Sequence, residues 1–511
     1  MAGKKNIRIS FPASEKEYIP GEKNRIQVGV RRVTLSDTIS TNHDGSINVK
    51  KNNPVILYDT TGPFSDPKIE INPLIGIPRI KEEWNIRRKD QIKNNNAYVA
   101  KNGKNITQLY YAKRRIITPE MEYVAIRENQ QIEELGLKSH ITPDFVRKEI
   151  AAGRAVIPSN INHPEAEPMI IGKNFLVKVA SKITYGREVF IPENEVEKII
   201  WRCKWGADLL IENENDAHLS NTRNLILRNS PIPYCTVPLF DALKQCESTD
   251  KLSWVLFRDV LINQAEQGVD CFVIHAGLLK MHLKETDVRL SGIAEPAGIF
   301  LRNWMKTNNK ENFLYTHFTD ICEIVKQYDI TLILGSALRP ASIYDANDKA
   351  LFSELRVLGE LAAKAKEHFI QVIIEGAGHT PLNKIKENIK EQQYICQQSP
   401  FYTSFPVSTD IAPGHEHISS AIGAAQIAWQ GVSLISDQSA STDKETVKDR
   451  IIAHKIAAHS ADLAKGHPGS QVRDNALSKA LFDGRWKDVC NLSLDPVKAA
   501  KSFDPNTHSF R

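Results

Sequence analysis

Residues 371–379 (QVIIEGAGH) form a β-branched run that ends in an acid, Glu375, followed four residues later by an imidazole, His379. Two glycines lie between them, and this spacing lets both side chains enter one pocket at the end of a strand. Glu375 brings a carboxylate, and His379 brings a nitrogen that can carry a proton or bind a metal. As a metal set the pair is incomplete, because zinc normally takes at least three protein ligands. His415 and His417, in DIAPGHEHISS, are the imidazoles that could complete it, although a solvated or hydrogen-bonded pair at a rim is the default reading. His275 closes the apolar run CFVIH and could donate to a ligand, or could equally be a satisfied core histidine. Arg339 follows TLILGSAL, where a guanidinium can clamp a phosphate or carboxylate or make a rim salt bridge. The sequence KGHPG at 465–469 is first a turn, and its glycine-flanked backbone could also cradle an anion.

Groups like these must be held by regular elements, and from residue 174 onward strand and helix patterns alternate. Strands are expected at 175–179, 207–211, 232–238, 271–274, 331–334, 371–374 and 402–407, with a weaker one near Ile293. Amphipathic helices fit between them, at 194–205, 254–267 and 351–368. This is the spacing of a parallel sheet, and eight strands close naturally into a (β/α)8 barrel, an α/β fold that gathers chemistry at the carboxyl ends of its strands. Before the barrel, residues 1–110 are rich in Lys, Asn and Pro turns, with short apolar runs at 26–33 and 55–58 that suit a small β-rich domain. Thr118, Pro119 and Glu120 supply an N-cap, a first-turn proline and an acid, so a helix starts there. After about residue 445 the pattern is wholly helical, with one amphipathic helix at 447–465. The expected division is 1–110, a barrel over 111–445 carrying the ligand pocket, and a helical segment over 446–511.

Composition narrows the function classes. With 511 residues, 41% of them hydrophobic, the chain can bury a large core. Its net charge of +5 comes from interspersed charges rather than a basic tail, which argues against nucleic-acid binding. No apolar run approaches the roughly 18 residues of a membrane helix, and the first ten residues lack a signal-peptide core, so a cytoplasmic location is expected. Seven cysteines (203, 235, 246, 271, 322, 396 and 490) are scattered with no C-x-x-C pair, which argues for free thiols and against a locally ligated cluster.

Several long blocks carry a resemblance. IITPEMEYVAIREN (116–129), SNINHPEAEPMIIGKNFLVKV (159–179), ILRNSPIPYCTVPLF (226–240), ENFLYTHF (311–318) and AAHSADLAKGHPGSQVRDNALSKA (457–480) are similar to phosphomethylpyrimidine synthase, over nearly the whole chain. The resemblance implies a barrel enzyme of the pyrimidine branch of thiamine biosynthesis, usually a homodimer. Such enzymes cleave S-adenosylmethionine on a [4Fe–4S] cluster, and the radical converts aminoimidazole ribonucleotide into hydroxymethylpyrimidine phosphate. A zinc ion is also bound. The resemblance further implies substrate or metal contacts at His275, Arg339, Glu375, His379 and Tyr402, although Tyr402 on its own reads as a core aromatic.

Other positions depart from the family pattern. Lys182 replaces an asparagine, Ile211 a methionine and Phe240 a tyrosine. An SRG segment reads Glu295-Pro296-Ala297, and an aspartate and glycine are replaced by Ser336 and Ala337. The second metal histidine falls in a segment absent between 435 and 447, so His379 is the one family metal ligand retained. The family's cluster cysteines form a motif near the carboxyl terminus, and Arg511 is reached without one, so a cluster is not expected in this chain. Three functions fit this pattern: a diverged paralogue that binds a phosphorylated or heterocyclic small molecule, a truncated true synthase, and a non-catalytic partner that dimerises with an intact paralogue. Substitutions gathered at ligand positions favour the first and third.

Overall fold

The computed structural model describes residues 8–129, 131–137, 141–184, 191–212, 219–437, 441–504 and 509–510. At its centre eight parallel strands form a closed barrel: Lys178–Ile183, Leu209–Glu212, Tyr234–Thr236, Cys271–Ile274, Thr331–Leu334, Val372–Glu375, Phe401–Ser404 and Leu434–Asp437. The first strand meets the eighth in the register Lys178 to Leu434, which completes the ring.

Alternation along each strand decides what the barrel encloses. Ala180, Leu209, Ile211, Cys235, Cys271, Val273, Ile333, Ile373, Tyr402 and Leu434 share one inner cluster. Their neighbours Val179, Leu210, Phe272, Ile274, Leu332, Leu334, Val372 and Ile374 pack outward against the helices. Those helices include Pro192–Lys204, Trp254–Gln267, Lys349–Glu367, Leu382–Ile395 and Glu416–Trp429. The base is stoppered by Val156, Met169 and Ile171, which join the inner cluster; Val156 and Ile171 face each other in a short antiparallel pair. One step further along each strand, the same alternation puts polar groups into the top layer.

Around the barrel, strands Ser14–Pro20, Gln27–Val33 and Val55–Leu57 form an antiparallel amino-terminal sheet. Helices Lys444–Ala464, Pro468–Phe482, Trp486–Leu492 and Pro496–Ser502 follow the barrel. Leu492 packs on Val33, Val55 and Leu57, and Asp488 accepts from the Ser36 backbone N–H at 3.0 Å. Among the described residues no helix is long and apolar enough to cross a membrane.

Three strand expectations are corrected. Ile293 is not a strand; it is buried in the turn leading to the helix Pro296–Asn308, between Gly292 with positive φ and Pro296. The eighth strand is Leu434–Asp437, a four-residue piece too short to stand out from the apolar helix before it. The first strand begins at Lys178 rather than at 175, because the Val177 N–H donates to the Asp462 carboxylate instead of to a strand. Thr118 caps the helix Pro119–Glu128, accepting from the Met121 N–H at 3.3 Å.

Candidate functional site at the carboxyl rim of the barrel

The top inward layer is built by residues at or just past the ends of the strands. Glu375 is the last residue of the sixth strand and is 5% exposed. Its Oε1 accepts from Ser404 Oγ at 2.5 Å, and its Oε2 accepts from the Ser336 backbone N–H at 3.2 Å. Tyr402 lies beside Glu375 in the ladder, and its hydroxyl bonds Ser436 Oγ at 3.1 Å. Burial and the nearby Glu375 charge push the Tyr402 phenol well above its usual range, so it stays neutral and can act as a donor. His275 follows the fourth strand and is 2% exposed, its turn held by Asn312, whose Nδ2 donates to the His275 carbonyl at 2.9 Å. Gly335 makes room for that ring: a Cβ there would lie 2.7 Å from His275 Nε2.

Glu295 closes this layer. Arg339 Nη2 donates to Glu295 Oε2 at 2.5 Å, Arg339 Nε lies 3.7 Å from Glu375 Oε1, and His275 Nε2 lies 3.9 Å from Glu295 Oε1. Burial raises the Glu295 carboxyl, but the charges of Arg339, His275 and Lys182 outweigh it and hold the group below the ordinary glutamate range. Burial lowers the Arg339 guanidinium, and Glu295 with Glu375 more than restores it. The arginine is thus compensated within the chain by two carboxylates. Two buried polar atoms of the layer have no hydrogen-bond partner, His275 Nδ1 and Arg339 Nε. Orphans of this kind mark where a bound molecule can donate or accept.

The structure brings His275, Arg339, Glu375, Tyr402, Glu295 and Ser336 together, with the charge of Lys182 acting on Glu295. Ile211 lines the inner apolar cluster below them. Phe240 lies on the helix Pro238–Lys244 and is partly buried against the large hydrophobic cluster. His379 stands apart, its Nδ1 bonded to Asp410 Oδ1 at 2.7 Å. His415 is exposed at the start of the helix Glu416–Trp429, and the partner His379 has taken is Asp410 rather than His415 or His417. Ser404, Asp410 and Glu354 were not singled out from the sequence. Glu354, on the helix after the fifth strand, accepts from Ser336 Oγ at 2.7 Å and from the Ala337 and Leu338 N–H groups, each at 2.8 Å. The period-two alternation past the strand ends would have found Ser404; nothing local marks the other two.

Comparison with known families decides the relationship. Residues 107–509 match the radical SAM ThiC family, and residues 10–91 match the ThiC-associated domain. The chain belongs to the radical SAM ThiC family. Membership supports a role in making the pyrimidine of thiamine, and the family in general uses iron–sulfur and S-adenosylmethionine chemistry. Solved structures with a similar outline include dihydropteroate synthase of Xanthomonas albilineans, at 12% identity and a TM-score of 0.33 over 59% of this chain and 96% of that one. The same enzyme of Thermus thermophilus matches at 11% identity and 0.33 over 55% and 92%. At those scores the likeness has no bearing on ligand or chemistry.

Two of the long sequence blocks supply buried polar contacts at the base of the barrel. In the 159–179 block, His163 Nδ1 bonds Asp270 Oδ2 at 2.6 Å inside the barrel base, while Asp270 also accepts the Asn160 and Tyr234 N–H groups. In the 116–129 block, Glu128 pairs with the buried Lys178 at 2.9 Å.

Among the described residues no group of three or more His, Cys, Asp or Glu is placed to hold a metal ion, and the ligand type beside His379 is the single carboxylate of Asp410. The cysteines lie on separate elements and are mostly buried; burial pushes the Cys322 and Cys396 thiols up to about 12 and Cys203 higher still. Cluster ligation needs thiolates gathered at one point. Among the described residues the cysteines are not gathered as a cluster needs, and His379 has one carboxylate beside it.

Proposed function

We propose that this chain is a diverged ThiC-family protein that binds a heterocyclic small molecule at the barrel rim and does not itself run the radical rearrangement. The observation that carries this reading is the 2.5 Å pair between Arg339 and Glu295. Glu295 occupies the guanidinium that would otherwise clamp an anionic substrate group, so the rim offers an anion no uncompensated charge. What it offers instead is a set of directional groups in a dry layer: the neutral Tyr402 hydroxyl, the Glu375 carboxylate and the partnerless His275 Nδ1. Such groups recognise the donor and acceptor edge of an imidazole or pyrimidine ring. The cysteines, on separate and mostly buried elements, support the non-radical half of the proposal.

Calorimetric titration with imidazole and pyrimidine nucleosides tests the binding half. Glu375→Gln and His275→Gln are each expected to weaken binding about tenfold or more, the scale of a lost hydrogen bond to a charged or buried group. Absence of binding across the panel, or binding indifferent to both substitutions, refutes the reading. Growth of a thiamine-pyrimidine auxotroph on this chain alone refutes the non-radical half.

A further inference from the structure

At the opposite end of the barrel from the rim, a cavity of about 120 Å³ lies between the amino-terminal sheet, the base of the barrel and the carboxyl-terminal helices. By the volume one water needs, that is room for on the order of ten waters. Its lining includes Arg31, Lys204, Trp205, Asp208, Ser470 and Arg473. Leu176, Val177 and Lys178 also border it, which fixes its place at the start of the first strand.

Most carboxylate oxygens of this cavity are engaged, while Asp208 Oδ1 is buried without a hydrogen-bond partner. Asp59 pairs with Lys16 at 2.9 Å, Asp208 accepts the Val179 N–H at 2.8 Å with Lys455 at 3.4 Å, and Asp462 pairs with Lys465 at 2.9 Å. Of its cations Lys178 is paired with Glu128 and Lys455 with Asp208, but Arg31, Lys204 and Arg473 are less well met. Among the described residues Arg31 and Arg473 make no ion pair, and Arg31 Nη1 is buried without a hydrogen-bond partner. Arg31 is held by the face of Phe11, 4.2 Å from the ring centre, and Arg473 donates to a single carbonyl, that of Leu492, at 2.7 and 2.9 Å. Burial lowers the Arg31 guanidinium by more than the charge of Asp59 restores. Lys204 lies over the rings of Trp201 and Trp205, which compensate its charge weakly. Burial and the charge of Arg31 push the Arg473 guanidinium down to about 9.

Two more donors wait in the same wall. Ser470 is 3% exposed and Trp205 8%, and neither Ser470 Oγ nor Trp205 Nε1 has a partner. Ser470 lies in the first turn of the 15-residue helix Pro468–Phe482, whose amino terminus adds its own positive field. Uncompensated guanidinium groups in a desolvated wall, beside unsatisfied O–H and N–H donors, cost stability unless an anion meets them.

We propose that this cavity is a second ligand site, for a phosphate group, either inorganic phosphate or the phosphate of a small phosphomonoester. Arg31 and Arg473 supply the charge, and Ser470 and Trp205 supply directional hydrogen bonds. The site is independent of the rim reading, since no rim residue lines it.

The full chain is titrated with inorganic phosphate and, separately, ribose 5-phosphate, by calorimetry at matched ionic strength, with sodium chloride as the control. Saturable binding is expected for phosphate and none for chloride, with affinity falling about tenfold or more in Arg473→Gln and in Arg31→Gln. Arg339→Met at the rim leaves it unchanged. Ser470→Ala, which removes one hydroxyl from a helix, serves where an arginine variant does not fold and is expected to weaken binding severalfold. Ribose 5-phosphate binding tighter than phosphate identifies a phosphomonoester as the ligand; equal affinity identifies the free ion. No saturable binding of either at millimolar concentration, or binding indifferent to Arg31, Arg473 and Ser470 alike, overturns the proposal.

Discussion

Replacing Glu295 with serine, the residue type of the family's SRG segment, removes the carboxylate that neutralises Arg339 and also takes an acid away from His275 and Lys182. At an effective dielectric of about 20, charges at the 2.5 Å of this pair attract by about 6–7 kcal/mol. Most of that gross attraction is offset, because Glu295 no longer has to be desolvated, a cost of several kcal/mol per buried ion. Arg339 is also not left alone: Glu375 stays 3.7 Å from its Nε. The loss therefore falls below the 3–5 kcal/mol of an orphaned buried charge, at about 2–3 kcal/mol. Urea unfolding at neutral pH measures it. Because the folded Glu295 carboxyl is held below its unfolded value, its stabilisation is present above the ordinary glutamate range of about 4.3 and is lost as pH falls through the folded value. The difference between wild type and Glu295→Ser should therefore be full at neutral pH and shrink in acid. The second readout is binding: with Arg339 freed, a phosphorylated nucleotide should gain about tenfold at the rim over wild type, and Arg339→Met should abolish the gain. Unfolding curves that coincide within about 0.5 kcal/mol, together with no gain in anion binding, would refute the claim that Glu295 plugs the clamp.

The remaining predictions concern the groups around that ring. Burial pushes the Glu354 carboxyl up to about 7 despite its three donors, so wild type should lose stability as pH rises from the unfolded glutamate range through about 7, and Glu354→Gln should remove that slope; parallel curves between pH 5 and 8 would count against it. Gly335→Ala places a Cβ 2.7 Å from His275 Nε2 and should destabilise by about 1–3 kcal/mol, read as a shifted urea midpoint, while unchanged stability would mean the ring moves freely. Anaerobic iron and sulfide reconstitution of this chain should give no four-iron loading, and chelation should leave its thermal midpoint unchanged; stoichiometric loading or a chelator-induced drop would show that the buried thiols or His379 find ligands the fold does not gather.

Much of the barrel is legible in the sequence because a buried parallel strand is written as a short β-branched run, and CFVI, TLIL and VIIE each became one. LISD did not announce itself, since its four residues follow the apolar helix Glu416–Trp429 and are told apart from it only by the ladder to Lys178. At the site, the residues at or just past strand ends could be foreseen by counting, as with Glu375 and His275. Their pairing could not. Glu295 and Arg339 are 44 positions apart, on loops after different strands, and nothing in the local pattern says that one neutralises the other. Phe240, assigned to the pocket by its place in a motif, sits on the helix Pro238–Lys244 and packs against the large hydrophobic cluster.

The tie between the amino-terminal sheet and the last helices sets a timetable for biosynthesis. Ser36 and Asp488 are 452 residues apart, and at a synthesis rate of about 5–20 residues per second the sheet waits on the order of 20–90 s for its partner to leave the ribosome. Throughout that interval the apolar face of Val33, Val55 and Leu57 lacks the cover that Leu492 later gives it. Closing so long a loop also costs about 5 kcal/mol of chain entropy by the logarithmic law, so the docking comes late and depends on a barrel already formed to bring the two ends together. Nascent chains stalled before residue 480 should accordingly engage holding chaperones through their first sixty residues and release them once the final helices emerge.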